Sequence, residues 1–149
     1  MTIFIGADHR GYQLKDHLIE YLQSKNIRVE DLGNYEYDPK DDYPLFANKV
    51  AEAVLQNPEE YLGIVICGSG VGVCMAANRH KGIYCGIGLN EEHVKHSREN
   101  DHINILSLAS DHFTLDETKK FVDAFLTTQP NRQNKYTRRL EMVDNMKKI

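Results

Sequence analysis

Hydrophobic and polar positions alternate along this chain with two periods, one typical of buried strands and one of amphipathic helices. Five short runs rich in aliphatic and β-branched residues are predicted strands, at 2–7, 27–33, 61–67, 82–89 and 103–109. Apolar residues recur at helical spacing in the segments 11–25, 45–56, 71–79 and 114–127, and 91–99 is predicted to be a polar helix. This alternation of strands and helices predicts a doubly wound α/β domain, with a parallel sheet covered by helices on both faces.

The end of the chain departs from this alternation. Residues 127–134 form a polar connection, and residues 134–149 carry apolar side chains such as Tyr136 and Leu140 at helical spacing. A single amphipathic helix is stabilised mainly by packing, so it is predicted to lie on its own sheet or on a second copy of the chain. With 149 residues and 41% hydrophobic content, the whole of 1–149 is predicted to form one domain.

Side chains that could take part in catalysis or binding lie at the ends of two of the predicted strands. Asp8 and His9 come directly after the first strand, Cys67 ends the third, and Ser69 lies two residues further on. In doubly wound sheets, ligands bind in a crevice beyond the carboxyl ends of the strands. The sequence therefore predicts that these four side chains border one crevice.

A loop at 34–44 has the Asn, Asp and Pro content typical of turns. Loops of this length often border a binding site. Tyr43, near its end, is predicted to be either a wall of the crevice or a surface anchor, and the residues alone leave both open.

The segment CGSGVG at 67–72 resembles two phosphate-binding loops without matching either. Val73 takes the place of the third glycine of G-x-G-x-x-G, and the G-K-[ST] ending of the P-loop is missing. Glycines at 68, 70 and 72 allow main-chain N–H groups to turn inward, and the next helix directs its positive end to the same point. The loop is predicted to stabilise an anion, either a phosphate or an oxyanion formed during a reaction.

Cys67 stands beside this positive potential, which favours the thiolate form of a cysteine. A thiolate at such a loop suits nucleophilic attack on a carbonyl or removal of a proton next to one, and the sequence alone does not choose. Cys74 and Cys85 are predicted core residues, because three cysteines without C-x-x-C spacing indicate neither disulfides nor a zinc site. His93 and His96 are predicted to lie on a solvated helix face.

The charge pattern narrows the range of partners. A formal net charge of −4 gives no basic footprint for nucleic acid, whereas an anionic small molecule needs only a local cluster of cations. Neither a signal-peptide pattern nor an apolar run of membrane-spanning length is seen, so we expect a cytoplasmic protein without a membrane partner.

Four stretches carry a family resemblance. They are GADHRGYQLK at 6–15, DYP at 42–44, GIVICGSGVGVCMAANRHKGI at 63–83 and NDHINILSLAS at 100–110. In order and spacing they resemble the sugar-phosphate isomerases of the ribose-5-phosphate isomerase type B and galactose-6-phosphate isomerase family. The resemblance implies a three-layer Rossmann-like α/β domain with a five-stranded parallel sheet. It also implies catalysis without metal or cofactor, and homodimers or tetramers with the sites at the dimer interface.

The same resemblance implies an aldose–ketose isomerase that acts through a cis-enediolate. Cys67 matches the family's cysteine base, which moves a proton between C1 and C2 of the sugar. Other members place a glutamate at the position of Val73, so the cysteine subtype is indicated. Ribose 5-phosphate is the expected substrate, and a hexose 6-phosphate of the allose or galactose type is the alternative.

Further site residues follow from the resemblance. Ser69 matches the Ser or Thr that accompanies the base, and Tyr43 matches an aromatic wall. Asp8 and His9 match an Asp-His pair that contacts substrate hydroxyls and oxygens. The main chain implied to stabilise the enediolate is that of Gly68, Gly70, Val71 and Gly72.

Several positions depart from the family pattern. Asn100 stands where many members carry a histidine thought to open the sugar ring, and the nearest histidine is His102. Asp111 falls at the position of a phosphate-binding arginine, which reverses the charge. These changes leave open a second function, that of a catalytically silent sugar-phosphate-binding subunit.

The C-terminal R-H-x-x-R pattern of the family reads Lys135 and Tyr136 at its first two positions, and Arg139 at its last. Lys135 and Arg139 are still expected to bind the substrate phosphate, although lysine offers a point charge instead of a planar fork. Arg10 is a candidate compensating cation. We further expect residues 134–149 to cross to a partner subunit and bring these cations to its phosphate.

Overall fold

The computed structural model describes residues 1–146, and within them five strands and six helices follow one another along the chain. In order they are β1 (Thr2–Ala7), α1 (Tyr12–Ser24), β2 (Arg28–Asp31), α2 (Tyr43–Leu55), β3 (Tyr61–Cys67), α3 (Val71–Ala77), β4 (Cys85–Ile87), α4 (Glu91–Asn100), β5 (Ile105–Ala109), α5 (Leu115–Thr127) and α6 (Asn134–Asp144). All strand pairs are parallel, in the order β2-β1-β3-β5-β4. The predicted α/β fold is confirmed.

The sheet is buried on both faces, which explains why its central strands are almost continuously apolar. On one face Ile3 and Ile5 of β1 pack in a cluster with α1, α4 and α5. On the other face Phe4 packs with α2 and α3. Successive strand residues point to opposite faces, so the sheet packs against helices on each side. Helices, sheet and helices are the three layers that the resemblance implies.

The predicted ends of the elements shift by a few residues, most of all at β4. The run 82–89 was expected to be one strand, but only Cys85–Ile87 pairs with β5. Gly82 adopts a left-handed φ of 86°, and the N–H of Tyr84 donates to the Asn104 side chain at 2.9 Å. The chain therefore turns before the strand can begin.

The helices also differ from their predicted bounds, with a clear reason in α2. Helix α2 begins at Tyr43 instead of 45, since Pro44 fits the first turn, where its missing N–H breaks no helical hydrogen bond. The terminal helix predicted at 134–149 is described as far as Asp144, and residues 147–149 lie outside the described part of the chain. No helix among the described residues has the length and apolar character needed to cross a bilayer.

The strand order locates the ligand crevice. From β1 the chain moves outward to β2, and then returns to place β3 on the other side of β1. This reversal is a topological switch point, and the carboxyl ends of the two strands on either side of it border an open groove. Asp8 and His9 leave β1 at this edge, and Cys67 ends β3 beside them.

Candidate functional site

Three neighbouring strand ends are joined by hydrogen bonds at the switch point. The N–H of Asp8, after β1, donates to the carbonyl of Ile66 in β3 at 3.3 Å. Ser110, the first residue after β5, places its Oγ 2.8 Å from the Arg10 carbonyl oxygen and 3.1 Å from that of Cys67. Ser110 was not predicted as part of the site. It positions the site by linking the loops that carry His9 and the thiol.

The glycine loop turns tightly between β3 and α3. Gly70 has a left-handed φ of 73°, and its carbonyl accepts a hydrogen bond from Ser107 Oγ at 2.5 Å. The Ser69 hydroxyl accepts the Val71 N–H at 3.2 Å. Among residues 1–146, the main-chain N–H groups of Ser69 and Gly70 have no protein acceptor, so they are available to an anion at the loop. Cys67 is 5% exposed beside them.

Tyr43 lies against this loop. A Cβ atom built on Gly72 would fall 2.8 Å from Cζ of the Tyr43 ring, closer than packed atoms approach. Gly72 therefore allows the ring to rest on the start of α3. Of the two predicted roles for Tyr43, this contact favours the wall of the crevice.

We expect Gly72→Ala to lower the free energy of unfolding by about 1–3 kcal/mol, because the added methyl group collides with the Tyr43 ring. In a Tyr43→Ala background the same change should be neutral or slightly stabilising, since alanine is a better helix residue than glycine. Urea denaturation of the wild type, the two single variants and the double variant measures the coupling. Equal effects of Gly72→Ala in both backgrounds would contradict the contact.

Asp8 is a buried carboxyl held by the main chain. Its Oδ1 accepts the N–H groups of Arg10 at 2.9 Å and Gly11 at 3.2 Å. Burial nevertheless raises the pKa of Asp8 above its ordinary value, and the two hydrogen bonds only partly offset this effect. The ionised form is therefore less favourable in the folded protein than in the unfolded chain.

Asp8→Asn should raise Tm at neutral pH by a few degrees at most. The asparagine oxygen can accept the same two N–H groups, and no charge is buried. Because the pKa of Asp8 is raised in the folded protein, its contribution to the free energy of unfolding is present in full below the ordinary pKa of 3.8. This contribution is lost as the pH rises through the folded-state pKa. The gain should thus disappear in acid. A gain of the same size at every pH would contradict this explanation.

His9 is fixed by a residue that the sequence analysis missed. The Asp41 Oδ1 atom lies 2.9 Å from the His9 main-chain N and 2.8 Å from its ring Nδ1. Asp8, His9 and Asp41 each offer one metal-ligand atom, all within 4.8 Å of one another. Oδ1 of each aspartate already accepts main-chain N–H groups, so we assign the cluster to positioning His9. In the sequence, Asp41 is indistinguishable from its acidic loop neighbours.

Asp111, the site of the reversed charge, has a partner. Its carboxylate pairs with the Arg10 guanidinium, and this hydrogen bond raises the pKa of Arg10. The Asp111 N–H donates to the Gly68 carbonyl at 3.0 Å, which holds the pair beside the glycine loop. The pair has no net charge, so Arg10 alone is a weak substitute for the family's phosphate-binding arginine.

Asn100 does not reach Cys67 of the same chain. It ends α4, which runs from the crevice edge back to the amino ends of the strands, and its side chain lies 3.2 Å from His96 Nε2. His102 is buried at that same far edge, with Nε2 2.8 Å from the Asn131 carbonyl oxygen. A substrate contact by Asn100 stays a prediction, and it requires a second copy of the chain.

Lys135 and Arg139 also lie away from the crevice of their own chain. Both are exposed on α6, and this helix is tied to the amino edge of the sheet, where the Tyr84 hydroxyl donates to Asp144 at 2.6 Å. The described residues of α6 include no buried side chain, and Met142 is 61% exposed. Binding of phosphate by these cations therefore also stays a prediction for an assembly.

The fold and the site together define a class of α/β enzyme that holds a cysteine at the switch point of a parallel sheet. A family model described as Ribose/Galactose Isomerase matches residues 3–143. The chain belongs to this family, as the resemblance implied. Enzymes of this family are sugar-phosphate aldose–ketose isomerases.

Individual relatives agree with the family assignment. The probable ribose-5-phosphate isomerase B of Mycoplasma genitalium is 46% identical over 125 residues, which cover 84% of this chain and 82% of the relative. The Mycobacterium tuberculosis ribose-5-phosphate isomerase B is 34% identical over 143 residues, 96% of this chain and 88% of that protein.

Solved structures share the fold. The crystal structure of the Mycoplasma genitalium ribose-5-phosphate isomerase B with bound ribulose-5-phosphate has a TM-score of 0.91 and 41% identity, covering 96% of this chain and 93% of that one. The Thermotoga maritima enzyme gives a TM-score of 0.92 at 34% identity, with coverage of 97% and 98%.

Proposed function

We propose that this chain interconverts ribose 5-phosphate and ribulose 5-phosphate in the crevice between β1 and β3. Its family and the bound ribulose-5-phosphate of the Mycoplasma genitalium structure support this substrate. The observation that carries the proposal is the position of Cys67, which ends β3 beside the unbonded amides of Ser69 and Gly70.

In the proposed reaction the Cys67 thiolate takes the proton from C2 of the open aldose and returns it to C1. The proton of the C2 hydroxyl group moves to the oxygen on C1. The cis-enediolate between these steps carries negative charge on oxygen, which the loop N–H groups stabilise. Asp8 and His9 hold the sugar oxygens, so the C–H bond faces the thiolate in a reactive geometry.

The proposed assembly is at least a dimer, in which α6 of one copy lies on the other. In α6 the exposed Met142 and Val143 offer an apolar contact to the other copy. Lys135 and Arg139 offer the phosphate contact that the Arg10–Asp111 ion pair, with no net charge, does not. A hexose 6-phosphate substrate or a silent binding subunit is the second candidate. The departures at Asn100 and Asp111 are what favours the silent subunit.

The test is a parallel isomerisation assay of the purified protein with ribose 5-phosphate, allose 6-phosphate and galactose 6-phosphate. We expect the highest kcat/KM with ribose 5-phosphate. A higher value with either hexose would change the substrate assignment. Calorimetric binding of the sugar phosphates without turnover of any would favour the silent subunit.

A further inference from the structure

We propose that Asp41 is a positioning residue, which holds the His9 ring so that Nε2 faces the substrate. The kinetic part of this inference rests on the proposed function, whereas its structural part does not. Asp41 would act through His9 without touching the sugar.

One carboxylate oxygen of Asp41 makes both of its contacts to His9. Its side chain is only 4% exposed, against 27% for His9. Oδ1 lies 2.9 Å from the His9 main-chain N and 2.8 Å from Nδ1, while Oδ2 accepts the Asn34 side-chain amide at 3.2 Å. One carboxylate thus fixes both the backbone and the ring of the same histidine.

These contacts determine the tautomer of His9. An ionised carboxylate only accepts hydrogen bonds, so Nδ1 carries the hydrogen and Nε2 is left as the atom for the substrate. In the neutral ring Nε2 then accepts a hydrogen bond from a sugar hydroxyl. A ring free to rotate or to change tautomer would present this acceptor only part of the time, and the geometry needed for proton transfer would be lost.

A histidine-selective nitrogen NMR spectrum of the uniformly labelled wild-type protein tests the tautomer directly. We expect the neutral His9 ring to carry its hydrogen on Nδ1, with the signal assigned by its loss in His9→Gln. In Asp41→Asn the hydrogen should redistribute toward Nε2, because an amide can either donate or accept. A wild-type ring with its hydrogen on Nε2 would overturn the proposal, whether or not any variant folds or turns over a sugar.

Kinetics tests the consequence for the reaction. Hydrogen bonds to charged groups are strong enough that Asp41→Asn should lower kcat by about 10- to 100-fold, with a much smaller change in KM. In a His9→Gln background the same substitution should have almost no further effect. Equal losses in both backgrounds would show that Asp41 acts independently of His9 and would overturn the proposal.

Asp38→Asn is the matched control. Asp38 lies in the same loop and is exposed, and among residues 1–146 its carboxylate accepts a single local N–H, that of Lys40 at 2.9 Å. It should leave the His9 signal and kcat unchanged. If wild-type protein does not turn over ribose 5-phosphate, the proposed function fails, and the NMR result still decides the role of Asp41.

Discussion

Cys67→Ser is expected to lower turnover of ribose 5-phosphate by about 10²- to 10⁴-fold, the usual contribution of a general acid–base group. The serine hydroxyl keeps its proton near neutral pH and cannot replace a thiolate as the base. Because the side chain is buried and the two residues are close in size, the loop and its N–H groups should keep their positions. Sugar phosphate should therefore still bind, with a Kd within a few-fold of wild type by titration calorimetry.

Cys74→Ser is the matched control for this variant. Cys74 lies seven residues further along, in α3, and its Sγ donates to the Cys85 carbonyl at 3.3 Å, which a serine hydroxyl can also do. Its activity should stay close to wild type. Full activity of Cys67→Ser would exclude the thiol as the base, and loss of both activity and binding would assign it a structural role.

The fold was predictable because the strands and the helices both carry the hydrophobic pattern that a sheet covered on both faces requires. Buried strands such as 61–67 are apolar throughout, since helices cover both faces of the sheet, and the helices carry apolar residues at regular spacing. The position of Cys67, Asp8 and His9 at one edge of the sheet was predictable for the same reason. Residues that end the strands of a doubly wound sheet must lie at its crevice.

Asp41 and Ser110 were not predictable in this way. Their roles depend on which loops meet at the crevice, and loop packing leaves no period in the sequence. In the structure, Asp41 is set apart from the exposed Asp38 and Asp42 because its side chain is buried against His9. Similarly, the charge reversal at Asp111 is visible in the sequence, but its pairing with Arg10 depends on the approach of the β1 and β5 ends.

This pairing affects how the proposed site would recognise a phosphate group. A carboxylate beside Arg10 cancels most of its attraction for a dianion, which is why we propose Lys135 and Arg139 as the phosphate contacts. Within one chain they sit with α6 at the opposite edge of the sheet. In the proposed function a complete site therefore requires two chains, and each chain contributes a different part to each site.

A mixed dimer should reveal this division directly. One chain carries Cys67→Ser, and the other carries Lys135→Ala with Arg139→Ala, with two different affinity tags so that the heterodimer alone is purified after coexpression. In a symmetric pair one site then combines Cys67 from one chain with both cations from the other, while the second site lacks all three. The heterodimer should recover about half of the wild-type activity per dimer, although each parent homodimer is almost inactive.

The controls separate this result from simple addition. Arg138→Ala, in the same helix and also exposed, should leave KM near its wild-type value. If each crevice instead used the cations of its own chain, neither chain of the heterodimer would hold a complete site, and its activity would be no more than the average of the two inactive parents. Recovery of activity therefore requires that α6 acts on the other subunit, because only an exchange between chains can unite Cys67 with an intact phosphate contact.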